Sequence, residues 1–331
     1  MQSGIPWIPL AFVLIGLVAL AWSSGVFVDG AASLARALGI SPLIVGMVII
    51  GFGTSAPELC VSVLSGLSGH ANLSLGNAYG SDIFNIACIL GISALICPMR
   101  ARPTVSIVAG LGLTAITAFS VWILRDGICG RHEAFSLLAA FAVMMPLYCW
   151  YDNKTRPPRP VKPAAGGSVA FGLVRLVVGL GVLIGSSHML VDGAEAIARC
   201  LGVSDLVIGL TVVAVGTSLP ELASAVQSAR RHEHELVLGN IIGSNLFNTL
   251  GVVGVATAIS PLVPSGDTPA FSPYILTRDL PFVAGFSLSL LVLGLNWRHP
   301  SRPGRFGRFA AVVWLASFVA YAALLLIQET R

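Results

Sequence analysis

The chain contains a copy of itself. Shifted by 163 residues, "VDGAASLARALGIS" (28–41) falls on "VDGAEAIARCLGVS" (191–204), "GTSAPEL" (53–59) on "GTSLPEL" (216–222), and "LGNAYGSDIFN" (75–85) on "LGNIIGSNLFN" (238–248). Across 28–91 the copies share 28 of 64 residues without a gap, far beyond chance, so a duplication built the chain. What was duplicated is apolar. Hydrophobic residues make up 55% of the 331 and charged residues 10%, against roughly 25% charged in soluble domains. The chain therefore reads as an integral membrane protein, with no length to spare for a large soluble domain.

Ten apolar stretches approach a membrane-spanning length: 7–28, 41–67, 73–97, 104–124, 133–151, 169–191, 204–229, 236–262, 280–297 and 309–327. Residues 1–6 hold no Lys or Arg, so 7–28 lacks the basic leader of a signal peptide and is read as a retained helix. The Pro-, Gly- and charge-rich 152–168 is a linker that divides the spans five and five. Five is odd, so the second copy must enter the membrane from the opposite side, as in the inverted repeats of secondary transporters. The expected fold is all-α and membrane-integral, with ten transmembrane helices in two inverted five-helix repeats and broken central helices. The expected units are 1–151 with its motif at 51–91, the linker 152–168, and 169–331 with its motif at 214–254. With alternating spans, thirteen Lys and Arg fall on the linker's side and five on the other, and Arg175 extends the larger group. The basic side is expected to be cytoplasmic, with both termini outside, in a bacterial or archaeal plasma membrane.

Each motif puts a proline and a glutamate inside an apolar span. Proline removes a helical hydrogen bond and crowds the carbonyl four residues back, so carbonyls around Gly51 and Phe52, and around Ala214 and Val215, are expected to turn away from the helix. Thr54, Ser55, Thr217 and Ser218 add hydroxyls; Glu58 and Glu221 add carboxylates. A carboxylate at membrane depth costs several kcal/mol and marks an ion pathway or proton relay. No Lys or Arg is near either glutamate in sequence, so the partner is expected to be a cation from outside the protein. Oxygen donors of these kinds suit Ca2+ and, by similar logic, Na+. Ser81 and Asn85 lie four apart on one helix face, and Ser244 and Asn248 repeat the pair. Gly76, Gly80, Gly239 and Gly243 follow the spacing that lets helices approach closely.

"GTSAPEL…GSDIFN" and "GTSLPEL…GSNLFN" resemble the paired repeats of the calcium/cation antiporter superfamily, in its sodium/calcium exchanger branch. The resemblance takes in both motifs, the span count and the linker. It implies Na+-driven Ca2+ exchange by alternating access, with both ions as cargo and no cofactor. It implies coordination by Thr54, Ser55, Glu58, Ser81 and Asn85, and by Thr217, Ser218, Glu221, Ser244 and Asn248. It also implies carbonyl contributions from Gly51 and Ala214. An amide at Asn248, where some relatives carry Asp, argues against potassium coupling. The duplicated "GTS" favours sodium over the runner-up, a H+/Ca2+ antiporter.

Other features are assigned plainer roles. The six cysteines form no CxxC pair and are read as small apolar residues. Asp29 and Asp192, duplicated before glycine, are assigned to helix ends or an interface. His188 has no counterpart and is given a packing or surface role. His70, His232 and His234 are expected in loops, and "RRHEHE" (230–235) as a solvated turn. Asp82, which stands where the second copy has Asn245, is assigned to local packing or capping. A channel is disfavoured by inverted repeats around one midplane site. An enzyme is disfavoured because no HExxH, GxSxG or Ser/His pairing is present. The expected partners are the lipid bilayer and the transported cations, with no nucleic acid and no obligate protein partner.

Overall fold

Lipid offers a backbone no hydrogen-bond partners, so an apolar span must satisfy its own, and helices do so. The computed structural model describes residues 7–156, 169–201, 214–264, 269–299 and 301–329. The first repeat contains α1 (Trp7–Leu38), α2 (Pro42–Thr54), α3 (Ala56–Leu67), α4 (Ala71–Ile96), α5 (Pro103–Leu124) and α6 (Arg131–Thr155). The second contains α7 (Val169–Cys200), α8 (Ala214–Thr217), α9 (Leu219–Arg230), α10 (His234–Ile259), α11 (Ile275–Gly294) and α12 (Arg308–Glu329). Among the described residues, eight helices are long and apolar enough to cross a membrane, and a ninth span is the pair α2–α3, bent by 42°. The start of the expected seventh span, and most of the linker, lie outside the described residues. The members of each repeat correspond in order, α1 with α7 through α6 with α12.

The inversion is visible in the packing of α1 on α7. Gly16 lies against Leu190 while Gly30 lies against Leu176, so these equivalent helices run antiparallel. Loop contacts agree with alternating spans. Strand β1 (Met99–Ala101), after α4, pairs antiparallel with β2 (Gly304–Phe306), before α12. At the other face, Cys129 and Leu262 exchange two backbone hydrogen bonds of 2.8 Å.

The core is α10. Every residue from Leu236 to Gly254 is buried, although the segment includes asparagines and a serine. A helix enclosed on all sides sits at the centre of a bundle. Its approach to α2 is closer than side chains allow. A Cβ on Gly239 would stand 2.2 Å from the Leu43 carbonyl oxygen, and one on Gly243 would stand 2.1 Å from that of Met47. By contrast, no described atom lies within 4 Å of a Cβ built on Gly76 or Gly80; residues 202–213, the sequence counterpart of 39–50, are not among the described residues. Around this centre, α1 exposes Trp7, Ile8, Leu14, Val18 and Trp22, an apolar surface suited to lipid.

Two expectations need correcting. Asp29 and Asp192 are not at helix ends: both sit inside 32-residue helices. Asp29 instead pairs with Arg231 across to the turn after α9, an interface contact. His234 is not in a loop; it is the first residue of α10.

Candidate functional site

The break in each central span is local chemistry. Ser55 and Ser218 both have ψ near zero (7° and 8°), and each precedes a helix with proline in its first turn. Proline is tolerated there because the first N–H groups of a helix have no intrahelical acceptor. The break places Thr54 and Ser55 at the end of α2, and Glu58 in the first turn of α3. The second copy does the same with Thr217, Ser218 and Glu221.

The two copies then satisfy each other. The Ser55 hydroxyl donates to Glu221 Oε1 at 3.1 Å, and the Ser218 hydroxyl donates to Glu58 Oε1 at 3.0 Å. These contacts are one interaction seen twice, related by the repeat. Ser218 also lies 3.4 Å from the Ser81 hydroxyl, and Ser244 lies 3.4 Å from the Gly51 carbonyl oxygen. Thr217 is within hydrogen-bonding reach of Glu58, and Thr54 of Glu221. Thr54 also donates to the Ile50 carbonyl at 2.9 Å. Asn85 donates to Asn245 Oδ1 at 3.0 Å. Its mate Asn248 lies beside Asp82. Both asparagines sit in wide, π-helical turns, Phe84–Leu90 and Phe247–Val252, a distortion frequent at functional sites. Of the predicted residues, Ala214 opens α8 at the edge of the described segment.

One detail differs from the sequence reading. The Gly51 carbonyl is not released by the break; it accepts the Ser55 N–H at 3.1 Å. Proline deprives the carbonyl four residues earlier, which is Gly53 or Gly216. The Gly216 oxygen accepts the Ser187 hydroxyl of α7 at 2.8 Å instead.

The oxygens left over define the site's chemistry. Glu58, Glu221 and Asp82 expose 1%, 1% and 0% of their surface. Glu58 Oε2, Glu221 Oε2, Asp82 Oδ1, Asn85 Oδ1 and Asn248 Oδ1 are all buried without a donor. Glu58 lies close enough to repel both Glu221 and Asp82. Among the described residues, no ion pair to Lys, Arg or His joins any of the three. Buried charge without a partner costs several kcal/mol per ion. A group of unpaired acceptors with no donor in excess is what a bound cation would satisfy. All are hard oxygens, a set suited to Ca2+ or Na+ rather than to thiophilic metals.

Sequence reasoning missed three contributors. Asn77 donates to the Glu58 carbonyl and to the Ser62 hydroxyl, both at 3.0 Å. Asn240, its equivalent, donates to Ser224 at 3.2 Å while its own oxygen faces Thr54 at 3.4 Å. These amides brace the broken spans against α4 and α10, and their signal was the "LGN" that both copies carry. The third is Asp82, whose Oδ2 accepts the Thr249 hydroxyl at 2.5 Å and whose carbonyl accepts from Asn245 at 3.2 Å. It lies at the site, not in a peripheral cap.

Comparison with known proteins shows the family. The family model for the sodium/calcium exchanger protein matches residues 8–150 and 171–327. The antiporter candidate CaxA of Alkalimonas amylolytica is 38% identical over 95% of this chain and 97% of its own length. Inner membrane protein YrbG of Escherichia coli is 34% identical over 95% and 96%. A solved structure of the sodium-calcium exchanger NCX_Mj superposes with a TM-score of 0.81 at 29% identity, covering 96% of this chain and 99% of that one. Both repeats fall inside the family match and the shared fold spans nearly the whole chain, so this protein belongs to the sodium/calcium exchanger family of multi-pass membrane cation transporters.

Proposed function

We propose that the chain exchanges Na+ for Ca2+ by alternating access at the crossing of α2–α3, α4, α8–α9 and α10. The observation that carries the reading is the set of five buried side-chain oxygens without donors, three of them carboxylate oxygens, with no cationic side chain among the described residues paired to them. One Ca2+, or several Na+, would neutralise the same carboxylates. Two cargoes that compete for one set of charges cannot both occupy it, and that exclusion couples their fluxes. The ligands are the hydroxyls of Thr54, Ser55, Ser81, Thr217, Ser218 and Ser244, the amide oxygens of Asn85 and Asn248, and the carboxylates of Glu58 and Glu221. Carbonyls of Gly51, through the lone pair its bond with Ser55 leaves, and of Ala214 complete the set, and Asp82 adds a third carboxylate beside Asn248.

Sodium is favoured over the proton because a proton needs one carboxylate, whereas Na+ needs a cage of several oxygens, and this site supplies one. Access would alternate by movement of α1 and α7 against the central helices. Their mutual contact is lined by glycine: an added Cβ on Gly30 would meet the Leu176 backbone at 2.5 Å, and one on Gly179 would meet that of Phe27 at 2.6 Å. Smooth backbone-to-backbone contact lets the two move as one body.

Radiolabelled Ca2+ uptake into proteoliposomes tests the reading. Vesicles loaded with Na+ and diluted into Na+-free medium should accumulate Ca2+, and collapse of the Na+ gradient should stop it. Uptake that ignores Na+ and follows an imposed pH gradient would overturn sodium coupling and leave H+/Ca2+ antiport.

A further inference from the structure

Three side chains with nitrogen or sulfur donors meet at one end of the bundle. Cys97 follows α4, His232 sits in the turn between α9 and α10, and His234 opens α10. Ser244 lies ten residues further along α10, a distance of about 15 Å at 1.5 Å per residue, so this cluster is separate from the central oxygens. Cys97 Sγ stands 3.3 Å from His232 Nδ1. All three ligand atoms lie within 4.8 Å of one another. Zinc bonds of about 2.3 Å to sulfur and about 2.0–2.1 Å to nitrogen, at a tetrahedral angle, set the two ligands roughly 3.6 Å apart. The cysteine and the first histidine are thus already near ligand spacing. His234 Nδ1 is buried with no hydrogen-bond partner.

The backbone gives a second, independent observation. His232 has φ +59°, the one left-handed non-glycine among the described residues. The equivalent residue in the first copy is Gly69, at φ +76°, where glycine takes this conformation without steric penalty. The second copy holds a histidine in the same turn despite the strain, and such outliers gather at functional positions. Counterparts of Cys97 and His234 are Ser260 and Ala71. The equivalent positions of the other repeat therefore lack the donor set.

Neighbouring acids are engaged elsewhere. Glu233 reaches Arg36 at 3.8 Å and Glu235 reaches Arg102 at 3.2 Å. Arg100 lies within electrostatic reach of His234, which works against hard cations held by charge alone. What remains is one sulfur and two imidazole nitrogens, a set that selects borderline-soft metals over Ca2+ and Na+.

We propose that Cys97, His232 and His234 form a binding site for a thiophilic transition-metal ion of the Zn2+ class, on one face of the membrane only. Binding displaces the thiol proton of Cys97 to solvent and uses neutral imidazoles. Three protein ligands leave a fourth position for water. The ion would join the end of α4, in the first repeat, to the α9–α10 turn of the second. That turn also holds α1, through Arg231 to Asp29 and Glu233 to Arg36. Metal occupancy therefore stiffens the link between the central helices and α1.

Cobalt is the probe. Purified full-length protein in detergent is titrated with Co2+, and thiolate-to-cobalt charge-transfer absorption is recorded, followed by displacement with Zn2+. The expected result is a saturable band of about one Co2+ per chain, since one cluster offers one site. The band should survive replacement of Cys60, Cys88, Cys129, Cys149 and Cys200, and vanish in Cys97→Ser. His232→Gly restores the residue best suited to the turn and so should fold well. It should nevertheless weaken Co2+ binding by about tenfold or more, since even changes around a ligand weaken metal affinity 10–100-fold. Calcium binding at the central site reports that each variant is folded. A folded wild type without the band, a band that persists in Cys97→Ser, or unchanged affinity in His232→Gly would each overturn the proposal.

Discussion

Glu58 and Glu221 are held by hydroxyls from the opposite repeat, those of Ser218 and Ser55 with Thr217 and Thr54 beside them, and each keeps one oxygen without a donor. Replacing either by Gln removes a charge and turns one acceptor oxygen into an NH2 donor, while preserving size. Each change should weaken Ca2+ binding by about 100-fold or more, because unbalancing a buried charge arrangement costs ~3–5 kcal/mol; calorimetry on folded, detergent-solubilised protein measures it. Wild-type affinity in either variant would remove that residue from the site. Asp82→Asn makes a different case. It converts position 82 to the residue that the second copy carries at Asn245, so the fold has a precedent for it. Calcium affinity should fall by about tenfold or more, as for loss of a ligating or closely supporting carboxylate, with little change in melting temperature. The two glutamates were legible in sequence because a carboxylate inside an apolar span is too costly to keep unless an ion or a proton neutralises it. The role of Asp82 was not, because its partner Thr249 is 167 residues away and replaces Ile86 of the first copy. No local pattern announces a contact made across the repeat.

At the scale of elements, the close crossing of α2 and α10 carries the site. Gly239 and Gly243 let α10 touch the α2 backbone at Leu43 and Met47, which brings Ser244 to the Gly51 carbonyl. Gly243→Val would force the helices apart. Overpacking of this kind costs roughly 1–3 kcal/mol or more. The variant should melt several degrees lower and lose Ca2+ binding, although residue 243 offers no ligand; unchanged melting would show that the crossing tolerates a side chain. The glycine spacing was readable in both copies, and for Gly239 and Gly243 the structure shows the contact it allows. Spacing states that two helices can approach, and the neighbour decides whether they do. Helix length shows the same division. Hydropathy ended the first span near residue 28, but α1 continues to Leu38. Amphipathic turns past the apolar run remain helical because α1 packs on α7 and on the α9–α10 turn.

The whole molecule has two ends that differ in charge. Arg36, Arg100, Arg102, Arg231 and Arg305 cluster with Asp29, Asp152, Glu233 and Glu235 at the end where β1 and β2 pair. If that end is cytoplasmic, a cysteine placed in 157–168 should resist an impermeant thiol reagent in intact cells, and one placed near residue 127 should react. The reverse pattern would invert the orientation. Charge movement is the second test at this scale. If more than two Na+ leave the vesicle for each Ca2+ that enters, net positive charge moves outward. An inside-positive potential should then accelerate Na+-driven uptake, by up to about 2.3 kcal/mol of driving force per net charge per 100 mV. Uptake insensitive to voltage would show that two Na+ exchange for one Ca2+.

Duplication, the all-helical membrane class, inversion and the paired glutamates were determined by sequence alone. Each follows from local chemistry: an apolar run must become a helix in lipid, an odd number of helices must end on the far side, and a carboxylate at membrane depth is kept only where an ion or a proton neutralises it. Tertiary structure decided which hydroxyl meets which carboxylate, that Asp82 faces Asn248, and that Cys97 meets His232 and His234. These contacts join residues more than 130 positions apart. They depend on how tightly two helices cross and how one turn is wound, and neither is written in the periodicity of a single segment.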